Sequence, residues 1–335
     1  VITSIVLLCT HTLNLLDGEF MKIVEPLQNY GRRPEVAYGL AVPQCKKSSK
    51  NLIGYQQDDR DENLIIYSKM PKCGSTTLYT IFKNMRHSSK HFITKKVVTP
   101  KPEALQTIES KRKYISTKIL PRRPYIFIGH LSFLDFIELG YKQPLYIDVV
   151  RDPIDRWLSL YHYKRESSWR LKLTPNEIKQ PLEECLKIWI NQTGCSGMSL
   201  RATAECLKTQ PYKGCRDEQI VSTYPLWFSG QYINSSLVSV QRAKTNIEKY
   251  YTFIGITERF DETVKAMETI LPSFTNELSK AYASLKRKRA NIGRNKVRPC
   301  NESIAVMKEL LTDDYHLYGF IRQRFNVHLN CFGII

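Results

Sequence analysis

The sequence predicts an α/β fold: a central, largely parallel sheet flanked by helices, with a disulfide-pinned insertion. Three observations lead there. Short apolar runs of strand length alternate with stretches of helical pattern. The first run leads through a loop containing Lys and Gly directly into a helix, an arrangement suited to binding phosphate. No repeat of the solenoid kind cuts across this order.

Taken in order, residues 64–67 (Leu-Ile-Ile-Tyr) form the first strand, a short β-rich apolar run. A loop follows, then a helix-compatible stretch over 76–85. Residues 125–128 and 145–150 are the second and third strands, the third running immediately into a helix, and residues 251–256 are the fourth. Helical patterns occupy 235–249, 260–270, 274–285 and 302–324. The stretch 166–224 is polar and Cys-rich, which reads as the insertion. One domain over 62–335 holds all of these elements, a large but feasible size for a single α/β unit.

Ahead of it, residues 17–61 read as a stem. They contain Gly31, Pro34, Pro43, a basic run over 45–50 and an acidic run over 58–62, with little apolar periodicity. Residues 1–16 are apolar but shorter than the ~20 residues a membrane-spanning helix needs. The expectation is the remnant of an N-terminal signal anchor; a trimmed secretory signal and a buried helix are the other readings.

Fifty Lys and Arg against thirty-two Asp and Glu leave a net charge of +18, which points to a polyanionic partner. An acidic polysaccharide, an anionic membrane surface and nucleic acid all satisfy it. No nucleic-acid recognition motif accompanies the charge. Nine cysteines include Cys185, Cys195, Cys206 and Cys215, whose short spacings suit disulfide-closed loops. No Cys-x-x-Cys pair is present to favour zinc. Asn191, Asn234 and Asn301 open glycosylation sequons. Asn191 lies between Cys185 and Cys195, in a loop expected to be exposed. Together these features point to the secretory pathway.

The loop after the first strand is Pro71-Lys72-Cys73-Gly74-Ser75-Thr76-Thr77. Small residues let backbone N–H groups approach an anion, and the helix start adds partial positive charge. Lys72 supplies a mobile charge, and Ser75, Thr76 and Thr77 add hydroxyl donors. The nucleoside-triphosphatase pattern G-x-x-x-x-G-K-[ST] does not fit, because Lys72 precedes the glycine. The third strand supplies a second constellation, with Arg151 at its carboxyl end. Asp152 is a good N-cap and Pro153 suits the first helical position. Ser159 lies two turns along that helix. An Arg and a Ser so placed suit a second phosphate, whereas capping plus a surface ion pair would account for Asp152 and Pro153 alone.

These segments resemble the donor-binding motifs of sulfotransferases that use 3′-phosphoadenosine 5′-phosphosulfate (PAPS). More closely, the chain resembles the uronyl and heparan-sulfate 2-O-sulfotransferase family, including Pipe-like proteins, from about residue 64 to the C-terminus. The carriers are the Pro71–Thr77 loop, Gly129-His130-Leu131-Ser132-Phe133-Leu134-Asp135-Phe136, and the segment from Gln143 to Pro153. Cys185 and Cys195, Ala243-Lys244-Thr245-Asn246, and Phe253 to Glu258 follow in the family's order.

The resemblance implies a P-loop-like sulfotransferase fold. It implies that Pro71–Thr77 holds the 5′-phosphosulfate, with Lys72 near the bridging oxygen, and that Arg151 and Ser159 bind the 3′-phosphate. His130 matches the family's catalytic base, and an imidazole suits that task near neutral pH. The implied reaction is metal-free transfer of a sulfuryl group from PAPS to a sugar hydroxyl, the 2-OH of a hexuronic acid in a glycosaminoglycan. It further implies a single-pass type II protein of the Golgi membrane with a lumenal catalytic domain, and a homotrimer. Lys69, and Arg294 and Lys296 in a basic run without acids, are candidate acceptor contacts.

The chain also departs from relatives. Ile128 stands where some carry a second histidine, and Lys69 replaces an arginine, losing bidentate carboxylate recognition. Ser229 replaces a cysteine, and Cys206 with Cys215 is the local substitute that suggests itself. The competing expectations are a basic glycan-binding protein that kept the fold without catalysis, and an ATP-dependent kinase.

Overall fold

The computed structural model describes residues 60–85, 93–97, 102–122, 125–166, 173–210, 223–230, 236–271, 277–286 and 297–335. The expected anchor and nearly all of the expected stem lie outside them. Five strands form one sheet: β1 (Arg60–Tyr67), β2 (Ile93–Lys96), β3 (Tyr125–Ile128), β4 (Gln143–Val150) and β5 (Tyr251–Ile256). Their order is β2-β3-β1-β4-β5, and every neighbouring pair is parallel. The chain leaves β1 toward β2 on one side and leaves β4 toward β5 on the other. That reversal opens a crevice beyond the carboxyl ends of β1 and β4, where ligands bind in open parallel sheets.

A parallel sheet covered on both faces needs strands that are apolar throughout. β1 meets this with Leu64, Ile65, Ile66 and Tyr67, and β5 is buried along its whole length. The covering helices include α1 (Ser75–Met85), whose Leu78, Ile81, Phe82 and Met85 face inward at helical spacing. Next comes α2 (Ile108–Tyr114), opened by a capping box at Thr107 and running on into a π-turn over Ile115–Ile119. β2 was not expected from the sequence. It is a four-residue edge strand ending in Lys95 and Lys96, and edges are commonly protected by such lysines.

The expected insertion is more ordered than a pinned loop. After α3 (Pro153–Glu166) come α4 (Pro175–Lys179), α5 (Leu182–Gln192), α6 (Leu200–Thr209) and α7 (Thr223–Ser229). Trp157 of α3, Leu186 and Trp189 of α5, and Leu207 of α6 build a second core. The Trp189 indole donates to the Gln210 carbonyl at 2.8 Å, tying α5 to the end of α6. The remaining helices are α8 (Ser236–Tyr250), α9 (Phe260–Ile270), α10 (Glu277–Lys286), α11 (Asn301–Leu310) and α12 (Thr312–Cys331). The single helix expected over 302–324 is thus two, separated at Leu311 (φ −99°, ψ 19°). Met307, Leu310 and Leu311 turn into the second core, while Leu317, Ile321 and Phe325 serve the first. Breaking the helix lets one apolar sequence feed both.

One disulfide pairing differs from expectation. Cys195 is bonded to Cys206, with Cα atoms 5.8 Å apart. Cys206 is therefore not available to Cys215, which lies outside the described residues. Cys185 and Cys331 are also disulfide-bonded. Asn191 is exposed at the end of α5, and Asn301 is exposed at the start of α11.

Gly230 closes α7 with φ +69°, and a Cβ built there would sit 2.2 Å from the Phe133 carbonyl oxygen. Both the backbone conformation and the contact exclude a side chain. Gly230→Ala is expected to destabilise the fold by about 2–4 kcal/mol, read as a lowered denaturant midpoint with unchanged slope.

Candidate active site

Three segments converge at the carboxyl ends of β1, β3 and β4. Tyr67 is level with Ile128 on one side and Ile147 on the other, so the residues after each strand emerge side by side. The loop after β1 turns sharply. Lys69 (φ 55°) and Lys72 (φ 67°) are the non-glycine residues with positive φ among those described, and Gly74 has φ 68°. Such conformations cost a bulky residue on the order of 1 kcal/mol or more, and they gather at functional sites. α1 begins directly afterwards. Its first bonds run from the Thr77 and Leu78 amides to the Gly74 carbonyl, so the Ser75 and Thr76 amides precede them at the positive end of the helix.

Asp148, near the end of β4, holds this loop from below. Its carboxylate accepts from the Met70 amide (3.1 Å), the Val149 amide (2.8 Å), the Trp227 indole (3.1 Å) and the Ser68 hydroxyl. The side chain is fully buried, and loss of hydration pushes its pKa up to about 6 despite those donors. No sequence pattern assigns Asp148 a role, because three of its four donors, Ser68, Met70 and Trp227, lie 78 to 80 residues away in the chain. Cys73 is buried too, and desolvation pushes its pKa up to about 12. It is therefore a thiol that shapes the loop, not a nucleophile.

The second constellation follows β4 as the sequence suggested. Asp152 caps α3, its Oδ1 accepting from the Ile154 and Asp155 amides at 3.0 and 3.2 Å. Arg151 stands at the strand end with its guanidinium 3.9 Å from Asp155, and Ser159 is buried two turns along α3. Tyr315 donates to Asp152, and Glu258 accepts from the Asp152 amide at 2.9 Å. Lys72 reaches toward the same helix, with Nζ 3.9 Å from the ring centroid of Tyr163, one turn past Ser159.

His130 stands two residues beyond β3. Its Nδ1 lies 2.7 Å from the Lys69 carbonyl oxygen. A carbonyl can only accept, so in the neutral ring Nδ1 carries the hydrogen and Nε2 keeps its lone pair. The ring thus has the tautomer a general base needs, set by the strained loop itself. Although one side of the residue is open, packing around the ring lowers its pKa by desolvation, and the Lys69 and Lys96 ammonium groups lower it further. Those two lysines flank Tyr79, at 6.0 and 5.9 Å from its ring centroid. Lys69 is mostly buried, while Lys96 is exposed. Of the other candidate acceptor contacts, Arg294 and Lys296 lie outside the described residues, as does Asn234.

A parallel sheet with a strained cationic loop, a second cation at the adjacent strand end and a histidine between them defines an anion-handling α/β protein. The chain belongs to the Sulfotransferase family, whose model matches residues 58–321. It is 25% identical to the Homo sapiens uronyl 2-sulfotransferase over 283 residues, covering 81% of this chain and 64% of that protein. It is 24% identical to the Gallus gallus heparan sulfate 2-O-sulfotransferase 1 over 286 residues, covering 80% and 72% respectively. The chain thus spans somewhat under two thirds of the human relative's length. Among solved structures, mouse sulfotransferase SULT7A1 complexed with PAP shares 16% identity over 84% of this chain and 88% of that one, with a TM-score of 0.35.

Proposed function

We propose that this protein transfers a sulfuryl group from PAPS to a sugar hydroxyl, the 2-OH of a hexuronic acid in a glycosaminoglycan. The observation that carries this reading is the contact of His130 Nδ1 with the Lys69 carbonyl. It places a base of defined tautomer against the loop that would hold the donor. The two cationic sites at neighbouring strand ends fit the two phosphate-bearing ends of one nucleotide. PAPS, when bound, supplies the sulfuryl group and its leaving bisphosphate.

Pro71, Cys73 and Gly74 shape the loop, while Ser75 and Thr76 would offer amides, and Ser75, Thr76 and Thr77 hydroxyls, to the 5′-phosphosulfate. Lys72 meets charge developing on the bridging oxygen. Arg151 and Ser159 take the 3′-phosphate. His130 Nε2 receives the acceptor hydroxyl's proton as the new O–S bond forms and the sulfur–bridging-oxygen bond breaks. Lys69, with Arg294 and Lys296, would face a polyanionic acceptor, as the charge of +18 suits. We place the protein in the Golgi lumen, tethered by an N-terminal anchor, glycosylated at Asn191, Asn234 and Asn301, and assembled as a homotrimer.

The test is incubation of the purified protein with radiolabelled PAPS and heparosan, heparan, chondroitin or dermatan acceptors, followed by disaccharide mass analysis. The expected result is label on the 2-position of a hexuronic acid. Absence of transfer to every acceptor would sink the reading.

A further inference from the structure

We infer that Tyr224 of α7 is a positioning residue that fixes Arg151 relative to the donor loop and thereby sets selectivity for a 3′-phosphorylated nucleotide. The inference rests on the donor reading above and extends it to a residue outside both motifs. The Tyr224 hydroxyl donates to the Arg151 carbonyl and accepts from the Arg151 amide, whose N lies 3.1 Å away. The same hydroxyl lies 3.8 Å from Cys73 Sγ in the donor loop. One phenol oxygen thus stands between the two cationic segments, gripping both backbone groups of the residue whose side chain would face the 3′-phosphate.

The rest of α7 makes Tyr224 a fixed point. The Tyr224 amide donates to Asp314 Oδ1 at 2.8 Å, and its ring is fully buried against Phe228. Arg156 of α3, itself buried, donates to Thr223 at 2.7 Å and lies 5.7 Å from the Tyr224 ring centroid. One turn on, the Trp227 indole reaches Asp148 beneath the donor loop, and the Trp227 carbonyl accepts from the Phe133 amide at 2.9 Å. Asn246 of α8 donates to the Phe228 and Ser229 carbonyls at the far end. One short helix therefore touches the donor loop, the Arg151 segment and the stretch after His130. It holds them through different atoms: the Tyr224 hydroxyl for Arg151, the Trp227 indole for the loop.

That division makes the proposal testable. Binding of PAP (adenosine 3′,5′-bisphosphate) and of adenosine 5′-phosphate is measured calorimetrically for wild type, Tyr224→Phe and Trp227→Phe. Tyr224→Phe keeps the ring and removes one hydroxyl, leaving the backbone amide and carbonyl of Arg151 without that partner. It is expected to weaken PAP about tenfold while changing adenosine 5′-phosphate less than about twofold. Trp227→Phe is expected to weaken both nucleotides in parallel, because both carry the 5′-phosphate. General loosening by Tyr224→Phe, with both nucleotides weakened equally, overturns the positioning role, as does an unchanged PAP affinity. A wild type without preference for PAP overturns the donor reading itself, a different and separately visible failure.

Discussion

Replacing His130 with Ala is expected to lower kcat for sulfate transfer by about 10²–10⁴ while leaving PAP affinity within about twofold. The split follows from the geometry. The imidazole contributes no atom to the donor loop; it borrows a carbonyl from it, so its removal spares donor binding. A protein that only bound glycans would show no such loss in any assay. The pH dependence adds a second handle. On the proposed mechanism neutral His130 is the working form, and burial with the Lys69 and Lys96 charges holds its pKa below the usual 6.5, so kcat/KM should persist into mildly acidic solution before the acid limb falls. Lys96→Gln removes one of the charges that depress it, so the limb should move to higher pH. An acid limb indifferent to this change would separate the observed ionisation from His130.

Much of this site was legible because it is local. The apolar runs of β1, β3, β4 and β5 are bounded by polar residues, and the cap at Asp152 sits beside Pro153; each is read within a few residues. What escaped was set over long distances or carried too little pattern. β2 has four residues, two of them lysines, and nothing in so short a run marks a strand. α5 did carry a signal, since Leu182, Leu186 and Trp189 repeat at helical spacing, but the surrounding polar residues and cysteines suggested a loop. The tautomer of His130 depends on a carbonyl 61 residues away, and the Tyr224 contact with Arg151 spans 73 residues. No spacing rule connects such residues; only the order of the strands brings them together.

Lys72 offers the other large effect, and competing magnitudes decide its direction. In this structure its ammonium lies 3.9 Å from the Tyr163 ring centroid, on an exposed aromatic. A cation–π contact at such a site is worth about 0.5–1 kcal/mol. A hydrogen bond from the same ammonium to a phosphate oxygen is worth about 1.5–3 kcal/mol. On the proposed function the donor phosphate would therefore outcompete the Tyr163 ring for Lys72. On the proposed mechanism Lys72→Ala removes a cation that would face charge appearing only as the bridging bond breaks, so it is expected to cost about 10²–10³ in kcat at saturating PAPS. Tyr163→Ala should change kcat less than about threefold, since it removes only the weaker partner. Lys72→Arg keeps the charge but spreads it over a planar fork, and should recover only part of the loss. Single-turnover transfer at saturating donor separates these cases. If Lys72→Ala raised KM for PAPS and left kcat intact, Lys72 would bind donor and transition state alike, and the role assigned to it at the bridging oxygen would fail.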